Sequence, residues 1–183
     1  MIIVEGPDGS GKSTLVKSLA ADLKLHIQEK AVDDHGVPMR NLMDWTDLQL
    51  ARGFRPVIYD RFNLISDPIY RPFLGKWNPE MYDPVWMSTR MLQFYRLRPI
   101  LIYCLPERAM VMYNVAHGED DNSAVAPFAD QLWYAYSARM AVDLATATPQ
   151  AHAVFHHDYE RSQYSNLTSS LRFLLKRRLD ADR

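Results

Sequence analysis

A single cysteine, Cys104, stands among 183 residues. It excludes an internal disulfide framework and fits a reducing compartment. Cys104 lies in an apolar run, where a thiol packs as a small hydrophobe. An excess of one charge is also missing: 21 Lys and Arg face 22 Asp and Glu, a formal net charge of −1. No global basic field draws this chain to nucleic acid, although a local basic groove is still allowed. No apolar stretch approaches the roughly 20 residues of a membrane span. The opening residues read as a strand, so the sequence predicts no secretory leader and a cytoplasmic protein. The sequon Asn166-Leu167-Thr168 carries no meaning in that compartment. Internal repeats and low-complexity tracts are absent, and the length suits one domain spanning 1–183.

Glycine is scarce, with seven in all, yet Gly6, Gly9 and Gly11 crowd into Gly6-Pro7-Asp8-Gly9-Ser10-Gly11-Lys12-Ser13. This is the phosphate-binding pattern G-x-x-x-x-G-K-[ST]. Glycines let successive backbone N–H groups turn inward around phosphate oxygens. Lys12 reaches the β/γ-phosphates and the Ser13 hydroxyl ligates Mg²⁺. Met1-Ile2-Ile3-Val4-Glu5 before the loop suits a buried parallel strand. After it, Thr14 to Leu23 places Leu15, Leu19 and Leu23 at helical spacing. Strand, loop and helix stand in the order the motif needs.

Further along, 25–28 reads as a second strand and 30–38 as a loop. A helix follows over 39–52, then a third strand at 56–59 with Asp60-Arg61 at its end. Residues 62–80 carry Pro68, Pro72, Gly75 and Pro79 and read as irregular, with one short helix. Residues 84–97 read as a helix with a core stripe of Met87, Met91 and Phe94. The fourth strand is 99–105, and Pro106 opens a helix reaching about Val115. Residues 117–126 are polar and acidic, 128–146 a long helix, 152–156 a fifth strand and 163–178 a final helix. Strands alternating with helices predict a parallel sheet covered on both faces. Trp45, Phe62, Tyr70, Trp77 and Trp86 read mainly as core or rim packing, although an aromatic face can stack a base. His156 and His157, adjacent on a strand, point to opposite faces and do not chelate one ion. The cluster Lys176-Arg177-Arg178 reads as charge bias at a helix C-terminus.

Ligands of parallel α/β sheets bind beyond the carboxyl ends of the strands. The candidates there are the glycine loop, Glu29 after strand two and Asp60-Arg61 after strand three. Phosphoryl transfer needs charge neutralisation and in-line placement more than covalent help. Arg61 can hold an acceptor or the transferring group. Asp60 can orient Mg²⁺ through water or remove an acceptor proton. Asp8 lies too close to phosphates to be useful without a polar partner, such as a sugar hydroxyl or its own loop. No hydrophobic strand ending in Asp and followed by a catalytic Glu is present, which argues against a switch or motor ATPase. A nucleotide-binding regulator without turnover is a further alternative.

The stretch Glu5-Gly6-Pro7-Asp8-Gly9-Ser10-Gly11-Lys12-Ser13-Thr14 resembles the thymidylate kinase opening EG-x-DG-x-GKST. Asp60-Arg61-Phe62, with Ser66 and Tyr70, resembles that family's DR-[YFH] segment. The resemblance implies a P-loop NTPase three-layer sandwich with a five-stranded parallel sheet of nucleoside/nucleotide kinase type. It implies ATP and Mg²⁺ as cofactors and transfer of the γ-phosphate to a pyrimidine deoxynucleotide. By resemblance Gly6, Asp8, Gly9, Ser10, Gly11, Lys12, Ser13 and Thr14 bind the nucleotide, with Asp8 on the deoxyribose 3′-hydroxyl. Lys12, Arg61, Asp60 and Glu29 are then the catalytic set, and Ser13 and Asp60 serve the metal. The chain departs from the family in two ways: Gln28-Glu29-Lys30 replaces an Arg-Glu-Pro-type segment, and neither the loop nor the lid near 116–126 holds an arginine. An acidic lid over phosphates costs Coulomb energy. Deoxynucleoside kinases, and phage kinases acting on 5-hydroxymethyluracil in DNA, share the scaffold and phosphorylate a hydroxyl. Resemblance to them makes a nucleoside or DNA an alternative acceptor, with Glu29 or Asp60 as base, and allows a homodimer.

Overall fold

A computed structural model of the chain describes residues 1–28, 42–73, 83–118, 126–148, 152–159 and 161–181. Five parallel strands form one sheet: β1 (Ile2–Glu5), β2 (His26–Gln28), β3 (Val57–Asp60), β4 (Ile100–Cys104) and β5 (Ala153–His157). Their order is β2-β3-β1-β4-β5. Central β1 aligns Ile2 with Ile58 on one side and with Ile100 on the other. The helices are α1 (Lys12–Leu23), α2 (Leu42–Ala51), α3 (Asn63–Tyr70), α4 (Pro84–Arg96), α5 (Arg108–His117), α6 (Ala129–Thr146) and α7 (Tyr164–Ala181).

Strand alternation sorts the side chains into two cores. Ile2, Val4, Ile58, Ile100, Ile102 and Cys104 pack under α1 and α7, against Leu15, Leu19, Leu167 and Leu171. Ile3, Tyr59, Leu101 and Tyr103 face the other way, against Trp45, Leu64, Phe94, Leu132 and Tyr136 from α2, α3, α4 and α6. Both faces of the sheet are therefore dry, as its near-continuous apolar strands predict. Each such buried side chain contributes about 1.5–3 kcal/mol. On the second face, Asp143 of α6 is fully buried and accepts from Tyr95, Tyr103 and Arg139. That network ties α4, β4 and α6 together.

The short helix expected within 62–80 is α3, with Pro68 inside it. Leu64, Ile65, Ile69 and Tyr70 are buried on one face of α3, and this packing outweighs the proline. The helix expected to open at Pro106 begins at Arg108 instead, because Glu107 is still extended at ψ 139°. It also runs two residues beyond Val115 to His117, so the start of the expected lid is helix. The rest of that lid, 119–125, lies outside the described residues, as do Glu29, the loop 30–38 and Trp77. Trp45 and Phe62 are buried in the core, packed against Tyr59, and are not free to stack a ligand. No helix of the described residues is long and apolar enough to cross a membrane.

Candidate active site

The loop after β1 owes its shape to close backbone approach. A Cβ on Gly6 would stand 2.4 Å from the Cys104 carbonyl oxygen, and one on Gly9 2.8 Å from Val115 Cγ2. Gly11 adopts φ 77° and occupies the N-cap position of α1. No side chain caps α1 there and no acidic residue stands in its first turn. Its first N–H groups and positive dipole end therefore point at the loop, a ready anion site. Cys104 is buried beneath the loop and donates its thiol to the Ser10 carbonyl. Burial pushes that thiol up to about 12, so it is inert.

Alternation along β3 decides where the next residues go. Ile58 faces α1, so Asp60 faces it as well, and its Oδ1 stands 2.9 Å from Lys12 Nζ. Arg61 then takes a left-handed conformation at φ 69°, which turns it across the sheet end. Its N–H donates to the Val4 carbonyl at 2.9 Å. Its guanidinium pairs with Asp8 and donates to the Tyr70 hydroxyl and the Gly6 carbonyl. The guanidinium carbon also lies 4.4 Å from the Tyr70 ring centroid. The Tyr70 hydroxyl accepts from the Asp8 N–H at 3.1 Å. Asp60 and Arg61 thus do not pair with each other. They divide the site, one under the loop at Lys12 and one at its outer edge with Asp8.

Glu5 closes the back of the site. It is fully buried, accepting from the Phe62 N–H at 2.7 Å and from the Tyr136 hydroxyl at 3.2 Å. Burial raises its carboxyl to about 7, against the pull of Arg61 and Lys12.

Two cavities flank the loop. The first, about 410 Å³, lies between loop residues 9–14 and Tyr113, Asn114 and His117 of α5. Asn114 donates to the Gly9 carbonyl at 2.8 Å and to the Tyr159 hydroxyl at 3.1 Å, which pins α5 to the loop. The rings of Tyr113 and His117 stack with centroids 4.3 Å apart. The second cavity, about 430 Å³, lies beyond Gly11 between Thr14 and Leu15 on one side and His157, Tyr159 and Tyr164 on the other. Sequence reasoning missed Asn114 and Tyr159, and met His117 only at the start of the expected lid. Asn114 stands one helical step from buried Val111, the one signal available beforehand.

For a metal, the loop offers the exposed Ser13 hydroxyl at the start of α1 and the Asp60 carboxylate beside Lys12. Among the described residues no cluster of three or more His, Cys, Asp or Glu could hold an ion. Two oxygen donors beside a phosphate cradle fit Mg²⁺, which takes most of its ligands from water and phosphates. Ser10 and Lys12 are buried in the loop, and Thr14 lines both cavities.

No family model and no curated protein matches the chain. Solved structures do match. YorR protein from Bacillus subtilis, in complex with phosphorylated GDP, superposes with a TM-score of 0.66 at 16% identity, over 96% of this chain and 95% of that one. Deoxyadenosine kinase from M. mycoides with bound dCTP gives 0.56 at 16% identity, over 96% and 99%. The same kinase with bound dATP gives 0.56 at 16% identity, over 94% and 97%. The chain therefore has the fold of P-loop kinases, an α/β sandwich on a five-stranded parallel sheet.

Proposed function

We propose that this chain is a cytoplasmic, ATP- and Mg²⁺-dependent kinase that transfers the γ-phosphate to a pyrimidine deoxynucleotide. The observation that carries this reading is the division of labour at the end of β3. Asp60 holds Lys12 beneath the glycine loop, and Arg61 turns to the outer edge where Asp8 and Tyr70 stand. One end of the site is built for a polyphosphate and the other for a polar acceptor. The likeness to a deoxyadenosine kinase fold supports a nucleoside or nucleotide kinase, and the choice of acceptor rests on the site itself.

In this reading the loop N–H groups, the start of α1 and Lys12 hold the β- and γ-phosphates. Ser13, with Asp60 through water, would hold Mg²⁺, which neutralises phosphate charge when bound. The second cavity takes the donor base between α1 and Tyr159. Asp8 and Arg61 position the acceptor, Asp8 toward a sugar hydroxyl and Arg61 toward the phosphoryl group. Asp60 is engaged by Lys12, which leaves Glu29 as the better candidate for a proton acceptor.

A second reading, transfer to a hydroxyl of a deoxynucleoside or of 5-hydroxymethyluracil in DNA, is favoured by one observation. The Arg61 charge is already matched by Asp8, which reduces the positive field an acceptor monophosphate needs. Incubation of γ-labelled ATP with dTMP, deoxynucleosides, normal DNA and 5-hydroxymethyluracil DNA decides between the two. Label in dTMP is the expected result. Label confined to a nucleoside or to DNA replaces the first reading with the second, and label in none of them sinks both.

Arg61→Ala provides a further check. Its expected effect is a loss of about 100-fold in kcat/KM for the acceptor, equivalent to about 2.7 kcal/mol, with the KM for ATP within about threefold. Equal losses toward donor and acceptor would remove Arg61 from the acceptor end.

A further inference from the structure

Glu5 is the one fully buried carboxylate of the site, and nothing in the transfer scheme above uses it. It does not face the phosphates. It sits on the α6 side of β1 and joins three elements: its own strand, the turn after β3 through the Phe62 N–H, and α6 through the Tyr136 hydroxyl. The residue between the two bonded strand ends is Arg61, one of three non-glycine residues with positive φ among those described. A left-handed arginine costs about 1–2 kcal/mol and persists only where its surroundings hold it. The holding bonds bracket it: Arg61 N–H on the Val4 carbonyl, and Phe62 N–H on Glu5.

We propose that Glu5 is a positioning residue for phosphoryl transfer: its carboxylate clamps the turn after β3 and so sets the Arg61 guanidinium at the acceptor end. This rests on the kinase reading of the site. Glu5 does not touch the reacting groups, and it acts through the turn and through charge. The groups that face it are Lys12 of α1, Arg61 of the turn, Tyr70 of α3, Tyr103 of β4 and Tyr136 of α6. Lys12 and Arg61 are the cations among these, and both are drawn to the ionised form.

The pH consequence has a definite sign. Burial raises the folded-state carboxyl to about 7, well above the ordinary glutamate value of about 4.3. Ionising Glu5 therefore opposes folding: the stability it contributes is complete below about pH 4.3 and is lost as pH rises through about 7. The clamp on Arg61 gains strength over the same rise, because only the carboxylate attracts the guanidinium. Turnover should climb between about pH 6 and 8 as Glu5 ionises.

The test compares wild type with Glu5→Gln, which keeps the size and an acceptor for the Phe62 N–H but removes the charge. Expected are a kcat about tenfold lower at pH 8, a KM for ATP within about twofold, and a flat profile where wild type rises. The second measurement needs no activity. The ¹⁵N-edited Arg61 Nε–H resonance should shift as pH passes about 7 in wild type and stay fixed in Glu5→Gln. A glutamine variant with wild-type kcat and profile, or a wild-type Arg61 resonance indifferent to pH, overturns the assignment. Should wild type transfer phosphate to no acceptor, the kinase reading falls and the Arg61 resonance alone decides whether Glu5 sets this arginine.

Discussion

Lys12→Ala is expected to lower phosphoryl transfer by about a thousandfold or more. Two effects act in the same direction. In the proposed kinase scheme the variant loses the ammonium assigned to the β- and γ-phosphates. It also leaves Asp60 without the partner that now stands 2.9 Å away, so the phosphates meet an added negative charge. Lys12 is nearly buried, so water does not simply replace it. The variant should still fold, because the cores under α1 and on the opposite face do not involve its charge. Initial rates with labelled ATP measure the loss, and far-UV circular dichroism confirms the fold. Turnover within tenfold of wild type would remove the glycine loop from catalysis.

The second large effect concerns stability. Gly6→Ala is expected to cost about 3 kcal/mol or more, which lowers Tm by roughly 6–12 °C for a chain of this size. The reason is local. The new Cβ would meet the Cys104 carbonyl oxygen at 2.4 Å and Ser10 Oγ at 2.9 Å, with φ at 152°. The carbonyl belongs to β4 and cannot move without disturbing the sheet. Gly53→Ala is the matched control, since Gly53 also has positive φ but nothing within 4 Å of an added Cβ. It should cost only about 1 kcal/mol. Thermal unfolding of both variants separates steric contact from backbone strain. Equal Tm values would mean that Gly6 is not needed for close approach.

The glycine-loop end of the candidate site was legible in the sequence because its signal is local. A strand, a glycine loop and a helix follow one another within 23 residues, and each obeys its own period. The end of the site at Arg61 and Asp8 was legible only in part. Asp60-Arg61 was visible as a strand terminus, but the opposite directions of the two side chains were not. Those depend on the register of β3 beside β1 and on the left-handed turn at Arg61, which no pattern of residue types announces. Asn114 and Tyr159 escaped for another reason. Asn114 meets Gly9 and Tyr159 across large sequence separations, and one polar residue in a helix reads as surface. Glu5 was quoted as part of a motif, yet its burial follows from strand alternation and from α6 lying over it. α3 was expected as one short helix without bounds, because the prolines obscure where it begins and ends, whereas its stripe of buried side chains is a tertiary fact.

The strand order has a kinetic corollary. β1 carries the glycine loop and precedes both of its neighbours in the chain, yet its ladders require Ile58 and Ile100. Such distant parallel pairings close late, after large entropic loops have been formed. Until then Ile2, Ile3 and Val4 present two unpaired apolar edges. During synthesis the chain passes through an interval in which its phosphate cradle has no shape and its stickiest strand is open to other chains. Once β4 docks, the Cys104 thiol reaches the Ser10 carbonyl, so the glycine loop should take its final shape only with the final assembly of the sheet.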